Sequence, residues 1–108
     1  MTSLSTHVLD VERGMPAEGV HITLYRDEAY VAEASTDPDG RIADVGGGSL
    51  GQGRYRLVFD LAEYLAAHGR VAPFLQRVTL EFLLDGQQPH YHVPLLMTAY
   101  ACTSYRGS

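Results

Sequence analysis

Apolar and polar residues alternate with a period of two along much of this chain. Val20, Ile22 and Leu24 alternate with His21, Thr23 and Tyr25; Val78, Leu80, Phe82 and Leu84 with Thr79, Glu81 and Leu83; Tyr91, Val93, Leu95 and Met97 with His90, His92 and Pro94. Successive side chains on a strand point to opposite faces, so this pattern predicts strands with one face in a core. Further strands are expected over Leu4–Asp10, Tyr30–Ser35, Tyr55–Phe59 and Tyr100–Tyr105. Turn signals separate them at Arg13-Gly14-Met15-Pro16, Asp37-Pro38-Asp39-Gly40 and Asp85-Gly86-Gln87-Gln88.

One segment follows a different period. From Asp60 to Gly69 the chain opens with an N-cap aspartate, carries Glu63 in the capping-box position, places Leu61, Tyr64 and Leu65 on one face, and closes with glycine. This predicts a single short helix near residues 60–68. About seven short strands with regular turn signals and one helix describe an all-β chain folded as a β-sandwich.

Composition narrows the chemistry. A chain of 108 residues has the size of a single domain spanning 1–108, because a second core of ~50 residues would leave too little for the first. It is 45% hydrophobic and 19% charged, so it should fold rather than stay disordered. Its apolar runs fall short of the ~20 residues of a membrane span, and MTSLSTHVLD lacks the basic start and apolar stretch of a signal peptide, so a cytoplasmic location without membrane association is expected. All eight basic residues are arginines. With no lysine, Schiff-base and P-loop chemistry are excluded, and the glycine-rich loop at 46–53 has no Lys-Ser/Thr ending. A net charge of −5 without a basic stripe argues against nucleic-acid binding. The lone Cys102 can make neither an intramolecular disulfide nor a Cys-pair zinc site, and reads as a small buried hydrophobe.

The candidate chemistry lies in the histidines, because imidazole exchanges protons near neutral pH without special tuning. His21 reads as a polar-face strand residue and His68 as a last-turn helix residue. In HYHVPLLM the apolar residues claim the core face, so His90 and His92 project together from the opposite face, roughly 6.5–7 Å apart. In LSTHVLD the alternation sets Leu4 and Val8 against Ser5, His7 and Leu9. A solvated strand face, a metal site and general acid–base work are all compatible with this spacing. Arg41, after the Asp-Gly turn, reads as a loop arginine or an anion clamp. Tyr105-Arg106-Gly107-Ser108, taken alone, reads as a flexible tail.

Together, LSTHVLD, GMPAEGVHITLYR, DGRIAD, GRYRLVFD, HYHVPLLM and the terminal SYRGS resemble the transthyretin-related 5-hydroxyisourate hydrolase family, in order and over nearly the whole chain. The resemblance implies a transthyretin-like two-sheet β-sandwich of about seven to eight strands with one short helix. It implies a homotetramer, a dimer of dimers, with active sites in a channel at the dimer–dimer interface. It further implies hydrolysis of a small-molecule substrate, 5-hydroxyisourate, in urate catabolism, with no cofactor and no metal. By the same resemblance His7, Arg41 and His92 are the catalytic residues, and His7, Arg41, Tyr105, Arg106, Gly107 and Ser108 contact substrate, with His90 in support. A carrier of small aromatic ligands on the same fold, and an enzyme for a related cyclic ureide, are the rival readings. The chain departs from the family pattern over Thr98–Ser104 and Pro73–Arg77, which bears on packing and subunit contacts more than on chemistry.

Overall fold

The computed structural model describes residues 2–108. Among these residues nine strands form two sheets: β1 (Ser3–Asp10), β2 (Met15–Pro16), β3 (His21–Arg26), β4 (Ala29–Ser35), β5 (Arg41–Ile42), β6 (Gly53–Asp60), β7 (Arg77–Leu84), β8 (His90–Met97) and β9 (Cys102–Ser104). The helix α1 (Leu61–Ala67) follows β6 directly. One sheet runs β2-β1-β8-β9, with β5 also pairing β1; the other runs β4-β3-β6-β7. The sequence pattern carries the sandwich and its helix. It does not carry the two-residue strands β2 and β5, which are too short for any alternation to register and exist only by pairing with β1. The last strand is three residues rather than the six expected over Tyr100–Tyr105.

The inward positions make the core. Leu4, Val8, Ile22, Leu24, Leu57, Phe59, Leu95 and Met97 are fully buried, as are Leu61 and Leu65 of the helix. Each such side chain contributes about 1.5–3 kcal/mol of transfer free energy. Val20, Ile22 and Leu24 point inward as the alternation requires. Cys102 departs from expectation: it is exposed, because it lies on β9, the outermost strand of its sheet.

Asp60 caps α1 by accepting the Glu63 backbone N–H at 3.0 Å. At the other end Gly69 takes φ +68°, with its N–H on Ala66 O and the Arg70 N–H on Leu65 O, the paired bonds of a Schellman ending. His68 is the C-cap, its Nδ1 2.9 Å from Tyr64 O. The helix is tied to β1 through Asp10, a fully buried carboxylate that accepts from Tyr64 Oη at 2.8 Å and Arg70 Nη1 at 2.5 Å. Burial pushes the Asp10 carboxyl up, but hydrogen bonds from Arg70, Tyr64 and the Arg13 backbone outweigh it and hold the group below its ordinary value. Among the described residues no helix is long and apolar enough to cross a membrane.

Candidate functional site

The chemistry-bearing residues collect on the outer face of the β1–β8 sheet. Strand β1 buries Leu4, Thr6, Val8 and Asp10, so Ser3, Ser5, His7 and Leu9 face outward. Strand β8 buries Tyr91, Val93, Leu95 and Met97, so His90 and His92 also face outward. The two strands are parallel, with Ser3 opposite His90, Ser5 opposite His92 and His7 opposite Pro94. Residues opposite one another on paired strands share a face, so His7 and His92 stand diagonally, one two-residue repeat apart along the strands.

The turn after β4 adds Arg41. Asp37 Oδ1 accepts the backbone N–H groups of Asp39 and Arg41, each at 2.9 Å, and Gly40 N–H returns to Asp37 O at 2.8 Å. Gly40 takes φ +75°, and a Cβ there would lie 2.4 Å from Val8 O, so only glycine lets the turn press this close to β1. The result is the pairing of β5 with β1 in which Arg41 lies directly opposite His7. Among the described residues the Arg41 guanidinium has no carboxylate partner. An arginine placed this way is an open site for a planar anion or carbonyl.

His92 is half-buried, and its Nδ1 lies 2.7 Å from Ser5 Oγ. The same hydroxyl lies 2.7 Å from His90 Nε2, and His90 Nδ1 lies 2.5 Å from Ser3 Oγ. Burial pushes the His92 imidazole below its ordinary value of 6.5, and the charges of Arg41, His7 and His90 act in the same direction. Neutral imidazole is the form that accepts a proton, so this shift keeps His92 in a form able to take one up near neutral pH.

The C-terminal residues turn back over this ring. Gly107 forms a bridge to His92, its N–H donating to His92 O at 2.7 Å. A Cβ on Gly107 would lie 2.7 Å from His92 Cδ2, so the absence of a side chain is what admits the imidazole. His90, His92, Arg106, Gly107 and Ser108 line a groove of about 300 Å³. The segment that reads as a flexible tail in the sequence is therefore docked, because its backbone pairs with β8. Tyr105 sits apart from the imidazoles: it lines a neighbouring groove with Leu80, Phe82 and Val93, which Arg106 joins to the first.

His21 and His68 stay outside the site. His21 pairs with Glu33 at 2.9 Å, and His68 packs against Tyr64 with ring centroids 4.4 Å apart and planes tilted by 42°. Among the described residues no group of three or more His, Cys, Asp or Glu side chains is placed to hold a metal ion. Sequence reasoning missed Ser3 and Ser5. Both share the outward phase of His7, but their contacts depend on β1 pairing with a strand about 87 residues away in the chain.

The model of the HIUase/Transthyretin family matches residues 4–107. A 5-hydroxyisourate hydrolase of Deinococcus radiodurans is 45% identical, covering 97% of this chain and 95% of the relative. The solved structure of Klebsiella pneumoniae 5-hydroxyisourate hydrolase superposes with a TM-score of 0.91 at 37% identity, covering 100% of both chains. Transthyretin from Sparus aurata superposes with a TM-score of 0.87 at 24% identity, covering 99% of this chain and 97% of that one, a likeness of fold alone.

Proposed function

The chain belongs to the HIUase/Transthyretin family, and on that premise we propose that it hydrolyses 5-hydroxyisourate, as a cytoplasmic homotetramer. The reaction opens the six-membered ring at its N1–C6 amide and yields 2-oxo-4-hydroxy-4-carboxy-5-ureidoimidazoline. Water oxygen bonds to C6, the C6–N1 bond breaks, and the departing nitrogen takes up a proton. Such a reaction needs a base for water, stabilisation of the developing oxyanion, and an acid for the leaving nitrogen.

The observation that supports this reading is the outward cluster of His92, His7 and Arg41 on three paired strands. In the proposed mechanism His92, held neutral by burial and by neighbouring cations, takes the proton from water. Arg41, without a carboxylate partner among the described residues, binds and polarises the urate-like anion and faces the charge that grows on the C6 oxygen. His7, directly opposite Arg41, returns a proton to N1. Arg106, Gly107 and Ser108 close the groove beside His92, and Tyr105 contacts substrate from the adjoining groove. A second subunit laid over this sheet face would exclude water from the site and strengthen every one of these electrostatic interactions. The retained pair of imidazoles and the open arginine favour an enzyme over a carrier, which has no need of proton transfer.

The test is to generate 5-hydroxyisourate from urate with urate oxidase, add the protein, and follow the ultraviolet decay against the spontaneous rate. Acceleration that falls ~10²-fold or more in His92→Asn, with the circular dichroism unchanged, is the expected result. Decay at the spontaneous rate in the presence of the folded parent protein would refute the assignment.

A further inference from the structure

Among the described residues the proposed base makes its only side-chain hydrogen bond to a residue with no assigned role. Ser5 Oγ stands 2.7 Å from both His92 Nδ1 and His90 Nε2, and the chain continues from His90 Nδ1 to Ser3 Oγ at 2.5 Å and from Ser3 Oγ to Pro89 O at 3.4 Å. A serine hydroxyl has a single proton, so Ser5 donates to one ring and must accept from the other. The tautomers of the two histidines are therefore coupled through one atom.

Two arrangements satisfy that condition. In the first, Ser5 donates to His90 Nε2 and accepts from His92 Nδ1–H; His90 Nδ1–H donates to Ser3, whose own proton goes to the Pro89 carbonyl. His92 Nε2 is then bare and basic. In the second, Ser5 donates to His92 Nδ1 and accepts from His90 Nε2–H, while Ser3 donates to His90 Nδ1. Neutral His92 then carries its proton on Nε2, and the contact between Ser3 and Pro89 has no proton to make it a hydrogen bond. The first arrangement makes one hydrogen bond more, and the Pro89 carbonyl at the end of the chain can only accept.

We infer that Ser5 and His90 are positioning residues that hold His92 in the Nδ1–H tautomer and so present a bare Nε2 to the groove. This rests on the reading of His92 as the base. It also gives His90, the exposed ring of the pair, a second effect. A doubly protonated His90 donates from both nitrogens, which forces Ser5 to turn its proton toward His92 Nδ1 and converts neutral His92 to the Nε2–H form that cannot accept. Both rings must then be neutral for turnover. The other charged or titratable groups around them are Arg41 on β5, His7 on β1, and Arg106 and the terminal Ser108 on the returning tail.

The experiment compares parent, Ser5→Ala, Ser5→Thr, His90→Asn and His92→Asn in the 5-hydroxyisourate assay, with nitrogen NMR of the His92 ring. Ser5→Ala should lose about 10-fold in kcat with KM within about twofold, less than the ~10² lost with the base itself, because part of the population still has Nε2 bare. Ser5→Thr, which keeps the hydroxyl, should recover most of that loss. The acid limb of kcat/KM should be steeper than a single titration in the parent and single in His90→Asn. NMR should show a protonated Nδ1 and bare Nε2 on neutral His92 in the parent, and a mixture in Ser5→Ala. Full activity in Ser5→Ala beside an inactive His92→Asn, or a parent His92 protonated on Nε2, would overturn this inference and leave the base assignment standing. Full activity in His92→Asn would overturn both.

Discussion

Replacing Gly107 by alanine tests whether the C-terminal segment acts on the site by fitting against His92. The added Cβ would stand 2.7 Å from His92 Cδ2, about 0.7 Å inside the 3.4 Å at which ordinary van der Waals contact begins, and 3.3 Å from both Cγ and the carbonyl oxygen. Two relaxations are open. If the ring yields, its Nε2 moves by a similar distance from the reacting centre, and a misplacement approaching 1 Å costs up to ~10²-fold in rate. The loss then falls on kcat. If the tail yields, the bond from Gly107 N–H to His92 O, 2.7 Å in length, breaks, and Arg106 and Ser108 leave the groove. That loss falls on KM. Either way kcat/KM should drop about 10- to 100-fold. Gly107 is only half-buried and lies outside the core cluster, so the melting temperature should stay within a few degrees of the parent's. Steady-state kinetics on enzymatically generated 5-hydroxyisourate separates the two cases. A Gly107→Ala protein with kcat/KM within twofold of the parent would show that the close approach has no bearing on the site.

Two further outcomes follow from the ionisable groups. Asp10→Asn should destabilise the fold by about 2–4 kcal/mol, because the amide keeps one acceptor oxygen for Tyr64 Oη and Arg70 Nη1, turns an NH2 donor against the Arg13 N–H that the other carboxylate oxygen accepted, and removes the negative charge beside Arg70. That is a fall in Tm of about 10 °C or more. The Asp10 carboxyl is held below its ordinary value in the fold, so its stabilisation is complete above the unfolded carboxylate range near pH ~3.9 and is lost as pH falls through the folded value. Asp10→Asn should therefore flatten stability against pH in that acid window, and denaturant titrations at several pH values check it. For His92 the sign is opposite in charge but acts in the same direction along the pH axis. Its cation is disfavoured, so the neutral ring persists below its ordinary value of 6.5. Arg41→Met removes one of the cations responsible, and NMR titration should find the His92 ring protonating at higher pH; an unchanged or lower titration would refute this account.

The sandwich was legible because its evidence is local. Period-two runs at residues 20–25, 78–84 and 91–97 mark strands, and the capped, glycine-closed segment from Asp60 to Gly69 marks the helix. Alternation also settles which residues share a face, so the outward direction of His90 and His92 follows from Tyr91 and Val93 without coordinates, whereas His7 shares its side with the apolar Leu9 and is placed outward by the burial of Leu4, Thr6 and Val8. What alternation cannot supply is register between distant strands. That Arg41 stands opposite His7, and Ser5 opposite His92, depends on pairings of β1 with segments 34 and 87 residues away. The same holds for the short strands β2 and β5, for the exposure of Cys102 on an edge strand, and for the docking of Gly107 on β8. A side chain's face is decided by its immediate neighbours in the chain. Its partners across a sheet are decided by how the whole core packs, and it is those partners that bring scattered histidines, serines and one arginine together as a candidate site.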